Sequence, residues 1–241
     1  MIHYHCAGIS GGAAGIQAIA GKHGLVSYAS ASHIEQVAAI AHTFILDNGA
    51  FTTWRQGKEF DLDGFLLWSE HWLKHPSCDW ALAPDVIDGD EAENDALLNL
   101  VSHKRHQYVP VWHLHESLTR LRTLCLEWPR VAIGSSGEYA TLGTPHWWRR
   151  MHETFDAATD SNGSPLTKIH GLRMLNPKVF SKFPFSSCDS ANAAINAGSN
   201  SRWEGNYAPK SKKVKALVLM DRIEHFLPPP TYRANNADAN I

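Results

Sequence analysis

A chain of 241 residues, 44% apolar and 19% charged, is long enough to bury one large core without splitting into independent domains. Its formal charge of -2 and isoelectric point near 6.7 exclude a uniformly basic nucleic-acid surface and leave only local basic patches for that purpose. No run approaches the roughly 20 apolar residues of a membrane span, and the start Met1-Ile2-His3-Tyr4-His5 has no signal-peptide pattern, so the expected location is the cytoplasm. Cys6, Cys78, Cys125 and Cys188 stand far apart, with no pair at metal-ligand spacing. They read as buried free thiols of a reducing compartment.

Eight short apolar segments each run into a polar residue, at 3–8, 25–29, 43–47, 80–85, 109–115, 131–135, 168–173 and 185–189. Helical spacing of apolar residues fills most intervals, over 13–20, 33–41, 63–74, 91–106, 118–128 and 145–158. Ser32 and Thr144 stand where N-caps belong, and Pro145 suits a first helical turn. After Asp189 the pattern weakens. Residues 191–197 suit a short last crossover helix, 199–215 are polar with Lys210, Lys212, Lys213 and Lys215 close together, and 216–226 suit a closing helix. Alternating strand and helix builds a parallel sheet, because a parallel pair needs a crossover. Repeated about eight times in roughly 250 residues, it predicts a single-domain (β/α)8 TIM barrel. The expected domain covers 1–226, followed by a Pro/Asn/Ala-rich tail over 227–241.

In that fold the chemistry collects at the C-terminal ends of the strands, which is where the polar residues fall. Asp47 follows Phe44-Ile45-Leu46 and precedes Asn48-Gly49, where a glycine admits a backbone conformation closed to other residues and a close ligand. Asp85 follows Ala83-Pro84 on the neighbouring strand, near enough in order to share a site in which two carboxylates push their pKa values apart. Both aspartates also suit plain turn capping. His113 and His115 share a strand face at i, i+2, as substrate contacts, core histidines, or ligands of a metal-dependent hydrolase together with Asp47 and Asp85. Gly134-Ser135-Ser136-Gly137 can offer backbone N–H groups to a carbonyl or phosphate oxygen, and Arg173 puts a cation near the mouth. Asp189 ends the last strand, which in a closed barrel lies beside the first and faces Asp47 and Asp85 across the opening. Opposed carboxylates of this kind suit chemistry at an anomeric carbon.

The order Asp-Asn-Gly-Ala-Phe, Pro-Asp, Gly-Ser-Ser-Gly and a late Cys-Asp-Ser, over about residues 40–195, resembles the tRNA-guanine transglycosylase superfamily. It is most similar to the short phage- and island-encoded DNA members of the DpdA type. The resemblance implies exchange of guanine for a 7-deazaguanine base such as preQ0, without a cofactor. Asp189 would be the nucleophile at C1′ and Asp47 the general acid/base. Asp85 would read the guanine N1–H and N2–H, residues 134–137 would donate to O6, and Asn48, Gly49, His113 and Arg173 would complete the binding surface. A Cys-x-Cys-x-x-Cys zinc cluster and room for an RNA-binding domain are both lacking, which moves the expected polymer from tRNA to DNA. For the polymer, Trp54, Trp112, Trp147, Trp148 and Trp203 are candidate stacking surfaces, with core or rim packing as the commoner use of tryptophan, and Arg149, Arg150, Arg202 and the lysines of 210–215 are candidate phosphate contacts or a solvated face. A non-catalytic interaction protein on the same scaffold is the remaining class.

Overall fold

The computed structural model describes residues 1–6, 12–198, 203 and 207–233. Its strands are β1 (Ile2–Cys6), β2 (His23–Ser27), β3 (Thr43–Asp47), β4 (Cys78–Leu82), β5 (Tyr108–Val109), β6 (Val111–His113), β7 (Arg130–Gly134), β8 (Lys168–Gly171) and β9 (Ser187–Ser190). They form one sheet in the order β5-β4-β3-β2-β1-β9-β8-β7-β6. The registered pairs, from β1 with β2 to β8 with β9, run parallel.

The two ends of that order, β5 and β6, are successive pieces of the single strand expected at 109–115. Pro110 divides them because proline has no N–H to give to a ladder. On one side of the break Ala83 N donates to Val109 O at 2.8 Å, and on the other Ala132 N donates to Pro110 O at 2.9 Å. The fifth strand therefore joins both flanks, and the fold is a (β/α)8 barrel. The expected strand also stops early, at His113, because Glu116 N turns back onto His113 O at 2.9 Å. In the same way β4 ends at Leu82 and β8 at Gly171, so Asp85 and Arg173 lie in the turns just past their strands.

The helices are α1 (Gly12–Gln17), α2 (Ile34–Ile40), α3 (Ala50–Arg55), α4 (Leu62–Trp72), α5 (Glu91–Val101), α6 (Leu118–Glu127), α7 (Pro145–Ala158), α8 (Pro177–Phe180), α9 (Asn192–Asn196) and α10 (Lys212–Glu224). As expected, α7 begins on Pro145 with the Thr144 hydroxyl accepting from Trp147 N at 3.2 Å. Ser32 is not a cap: it lies inside a 3-10 segment, Tyr28–His33, that leads directly into α2. The closing helix starts at Lys212 rather than at residue 216, so Lys212, Lys213 and Lys215 belong to its first turn. Asp90 and Glu93 form a reciprocal capping box that starts α5.

Two compact units make up the chain: Ile2–Ala81 with Asp189–Phe226, and Leu82–Cys188 with Met1 and the described part of Leu227–Ile241. The first is centred on Tyr4, Phe44, Ile45, Leu46 and Phe65, all fully buried. In the second, Phe155 and Phe183 stack at 4.7 Å and Tyr232 packs beside both. Tyr232 N also donates to Gly163 O at 2.7 Å, so the chain just past the expected domain boundary is docked. Each fully buried ring of this kind stabilises by roughly 1.5–3 kcal/mol.

Candidate functional site

In the first unit β3 delivers Asp47, half-buried, to the C-terminal end of the sheet. The chain then turns at once into α3. Asn48 Oδ1 accepts from Ala50 N at 2.9 Å, and Gly49 adopts φ +81°, where a Cβ would meet Ala29 N at 2.8 Å. Only glycine fits that turn, so Asn48 and Gly49 serve to aim Asp47. Asp189 lies in β9 and is 3% exposed. Strand β9 is next to β1, as the barrel order requires, and Cys6 at the end of β1 directs its thiol to Asp189 Oδ2 at 3.6 Å.

In the second unit Asp85, His113, His115 and Ser136 converge. His113 Nε2 lies 2.7 Å from Asp85 Oδ2, with both side chains buried. Burial alone would lower the His113 pKa, but the hydrogen bond and charge of Asp85, followed by the charge of Glu116, outweigh it and raise it above the ordinary value of 6.5. The pair therefore favours the protonated form of the His113 ring. Gly134 makes room for it, since a Cβ there would sit 3.0 Å from His113 Nδ1. The His113 and His115 rings stack at 5.5 Å and 15°.

A second tier fixes this pair, and its members carry no expectation from the sequence. Glu116 Oε2 accepts from His113 N at 3.1 Å and from Arg120 at 2.6 Å, while Glu116 Oε1 accepts from Asn94 Nδ2 at 3.0 Å. Asn94 Oδ1 in turn accepts from Val86 N at 2.8 Å, which ties down the turn that carries Asp85. Arg120 also reaches Asp95 at 2.7 Å. The signal for part of this was present, because Glu116 and Arg120 stand at i, i+4 on the way into α6.

Of the residues 134–137, Ser135 Oγ accepts from Trp147 Nε1 at 2.9 Å, so that hydroxyl is already engaged. The amides of Ser136 and Gly137 make no hydrogen bond among the described residues, which keeps them available as donors. Arg173 is exposed and holds φ +60°, the one non-glycine with positive φ among the described residues. That conformation costs about 1–2 kcal/mol, a strain of the kind stored beside functional sites.

His113 and His115 do not converge as an open ligand pair. His113 faces Asp85 and Ser136, and His115 faces Ser136 through Nδ1 and the Gly89 carbonyl through Nε2 at 3.3 Å. No group of three or more His, Cys, Asp or Glu with metal-holding geometry occurs among the described residues.

Of the two readings of the tryptophans, stacking surface or packing, packing holds for most. Trp112, Trp147 and Trp203 are buried, Trp148 is half-buried, and Trp54 alone of the five is exposed, because the others sit on faces that close the core. Arg150 is committed to Leu114 O, Glu116 O and Glu153, and Lys215 lies over the Trp203 ring. Arg149, Lys210 and Lys212 are exposed, and Arg202 lies outside the described residues. A cleft of about 630 Å³ lined by Met1, Pro129, Lys168, Phe185 and Pro228 opens where β7 and β8 begin, the end at which barrels of this class carry stability rather than chemistry.

No family model matches the chain, and no curated protein does. Among solved structures it resembles a protein described as a fructose-1,6-biphosphate aldolase from Coccidioides immitis, at 13% identity and a TM-score of 0.56, over 92% of this chain and 89% of that one. A protein from Aquifex aeolicus VF5 is similar at 11% identity and a TM-score of 0.55, over 95% of this chain and 93% of that one. Both likenesses establish the barrel fold. No helix among the described residues is long and apolar enough to cross a membrane.

Proposed function

We propose that this chain is a guanine transglycosylase that replaces guanine in a polynucleotide, DNA in preference to tRNA, with a 7-deazaguanine base through a covalent aspartyl-glycosyl intermediate. The observation that carries this reading is Asp189. It is a carboxylate 3% exposed at the C-terminal end of a barrel strand, with the Cys6 thiol on one oxygen, in the same unit as the strand-end Asp47.

In the proposed reaction an Asp189 oxygen attacks C1′, the C1′–N9 bond breaks, and guanine leaves with a proton from Asp47. The incoming base gives its N9 proton to Asp47 and attacks C1′, and Asp189 departs as carboxylate. Protons and charge balance over the cycle. Asp85, hydrogen-bonded to His113, supplies the acceptors for adjacent N–H donors of the purine, and the Ser136 and Gly137 amides supply donors for its oxygen. Entry of the base requires that it leave its stack, at a few kcal/mol.

The test is incorporation of labelled preQ0 base into guanine-containing DNA and tRNA by the purified protein. Incorporation into DNA is expected, with a covalent protein–DNA adduct on denaturing gels, and Asp189→Asn should reduce both to background. No incorporation into either polymer, or equal incorporation by the variant, would defeat the proposal.

The buried Asp85–His113 pair favours a second reading, acid–base catalysis on a small molecule. In that case Asp189→Asn would leave turnover intact and His113→Gln would abolish it. The metal-dependent hydrolase has less support, since both nitrogens of His113 and of His115 face protein partners.

A further inference from the structure

Four contacts around His113 and His115 form one continuous chain. Asp85 Oδ2 lies 2.7 Å from His113 Nε2, and His113 Nδ1 lies 3.5 Å from Ser136 Oγ. Ser136 Oγ lies 3.3 Å from His115 Nδ1, and His115 Nε2 lies 3.3 Å from the Gly89 carbonyl oxygen. The chain ends at the surface: Asp85, His113 and Ser136 are buried, and His115 is exposed.

Donor counting allows two proton arrangements, and in the first the extra proton is on His113. The Gly89 carbonyl can only accept, so His115 carries a proton on Nε2, and its Nδ1 is then free to accept. Ser136 has a single proton, which it donates to His115 Nδ1, and its oxygen accepts from His113 Nδ1–H. Asp85 accepts from His113 Nε2–H, so His113 holds protons on both nitrogens. The groups that face His113 agree: burial and the Arg120 charge oppose the imidazolium, while Asp85 and Glu116 favour it and prevail.

The arrangement also has a mirror state. If the His113 Nδ1–H bond breaks as a new Ser136 O–H bond forms, and the old Ser136 O–H bond breaks as a His115 Nδ1–H bond forms, every contact survives, the two through Ser136 with their direction reversed. One proton, and with it one positive charge, has moved from His113 to His115, and nothing else has been consumed.

We propose that Ser136 relays a proton between His113 and His115, so that the buried Asp85–His113 pair exchanges protons with solvent through one hydroxyl. This assignment does not depend on base exchange. It gives the site a way to reset the charge beside Asp85 without opening, whatever the substrate.

The experiment is 15N–1H correlation of the imidazole nitrogens in the full chain labelled at histidine, in wild type, Ser136→Ala, Ser136→Thr and His115→Phe. At neutral pH the wild type should show His113 protonated on both nitrogens and His115 with its proton on Nε2. Ser136→Ala removes an acceptor for the imidazolium and should lower the His113 titration by about one pH unit. It should also slow solvent exchange of the His113 Nδ1 proton, the one the relay moves, on the order of 100-fold, the scale of a lost positioned acid–base group. Ser136→Thr, which keeps the hydroxyl, should restore both values. His115→Phe keeps a stacked ring without nitrogens and should slow the same exchange. A neutral His113 at pH 7, or wild-type exchange in folded Ser136→Ala or His115→Phe, would overturn the relay. Failure of base exchange alone would leave these readouts unchanged.

Discussion

At the scale of single residues, the Asp85–His113 pair puts two titratable groups 2.7 Å apart in a buried setting. Two buried charges stay together only because each has additional partners, here Glu116 and Arg120 behind the imidazolium. The pair is asymmetric toward loss of a partner. His113→Ala removes the imidazole bonded to the buried Asp85 carboxyl, and it should cost about 3–5 kcal/mol in urea unfolding. Asp85→Ala should cost less, because the imidazole can shed its proton near neutrality. The raised folded pKa of His113 also fixes a sign. Its contribution is complete below the unfolded value of 6.5 and is lost as pH rises through the folded value. Wild-type stability from urea titrations should therefore carry a falling component across that window, and His113→Gln should remove it. An unchanged pH slope in the variant would show that the pair carries no net charge coupling.

At the scale of elements, the turn from β3 into α3 shows how backbone geometry aims a carboxylate. Gly49→Ala would place a Cβ 2.8 Å from the Ala29 backbone nitrogen at φ +81°, so both conformation and space oppose it. The conformational penalty alone is about 1–2 kcal/mol. The variant should lose at least that in urea midpoint analysis, and it should lose incorporation activity beyond its loss of folded protein because Asp47 moves. Gly57→Ala, with no atom within 4 Å of the added Cβ, is the control for positive φ without the clash.

These same elements mark what was legible in the sequence. Segments β3 and α7 were readable to the residue, because an apolar run ending in Asp47 and the Thr144-Pro145 cap are local signals. The break at Pro110 was equally local and should divide any strand drawn through it. Helix α3 was not legible: it has six residues, no capping side chain, and a start that depends on the position of Ala29 in another element. The Asp85–His113 bond joins residues 28 apart, and no spacing rule reaches that far. Tryptophans open to two readings, stacking surface or packing, proved mostly core, since a large ring has more area to bury than to display.

At the scale of the whole molecule, acid should act unequally on the two units. In the first, His5 Nε2 donates to Glu224 Oε1 at 2.8 Å, and Lys22 bonds Glu224 at 2.6 Å, which joins β1 to α10. Burial would raise the Glu224 pKa, but His5 and Lys22 outweigh it and hold it down at about 2. His3, on the same strand, is lowered to about 4 by burial first and then by the charge of His5. Between 6.5 and about 4 the unfolded chain binds a proton at His3 that the folded chain refuses, so stability falls as pH falls across that range. Below 4.5 the Glu224 contribution begins to disappear, and it is lost as pH falls through about 2. The second unit has the opposite dependence over the upper range, because the His113 contribution is complete below 6.5. Hydrogen exchange at pH 7, 5.5 and 4.5 should therefore show protection falling in β1 and α10 before it falls in α6 and α7. His3→Gln should flatten the loss between pH 6.5 and 4. Simultaneous loss in all four elements, or first loss in α7, would mean that His3 and Glu224 do not govern the acid response.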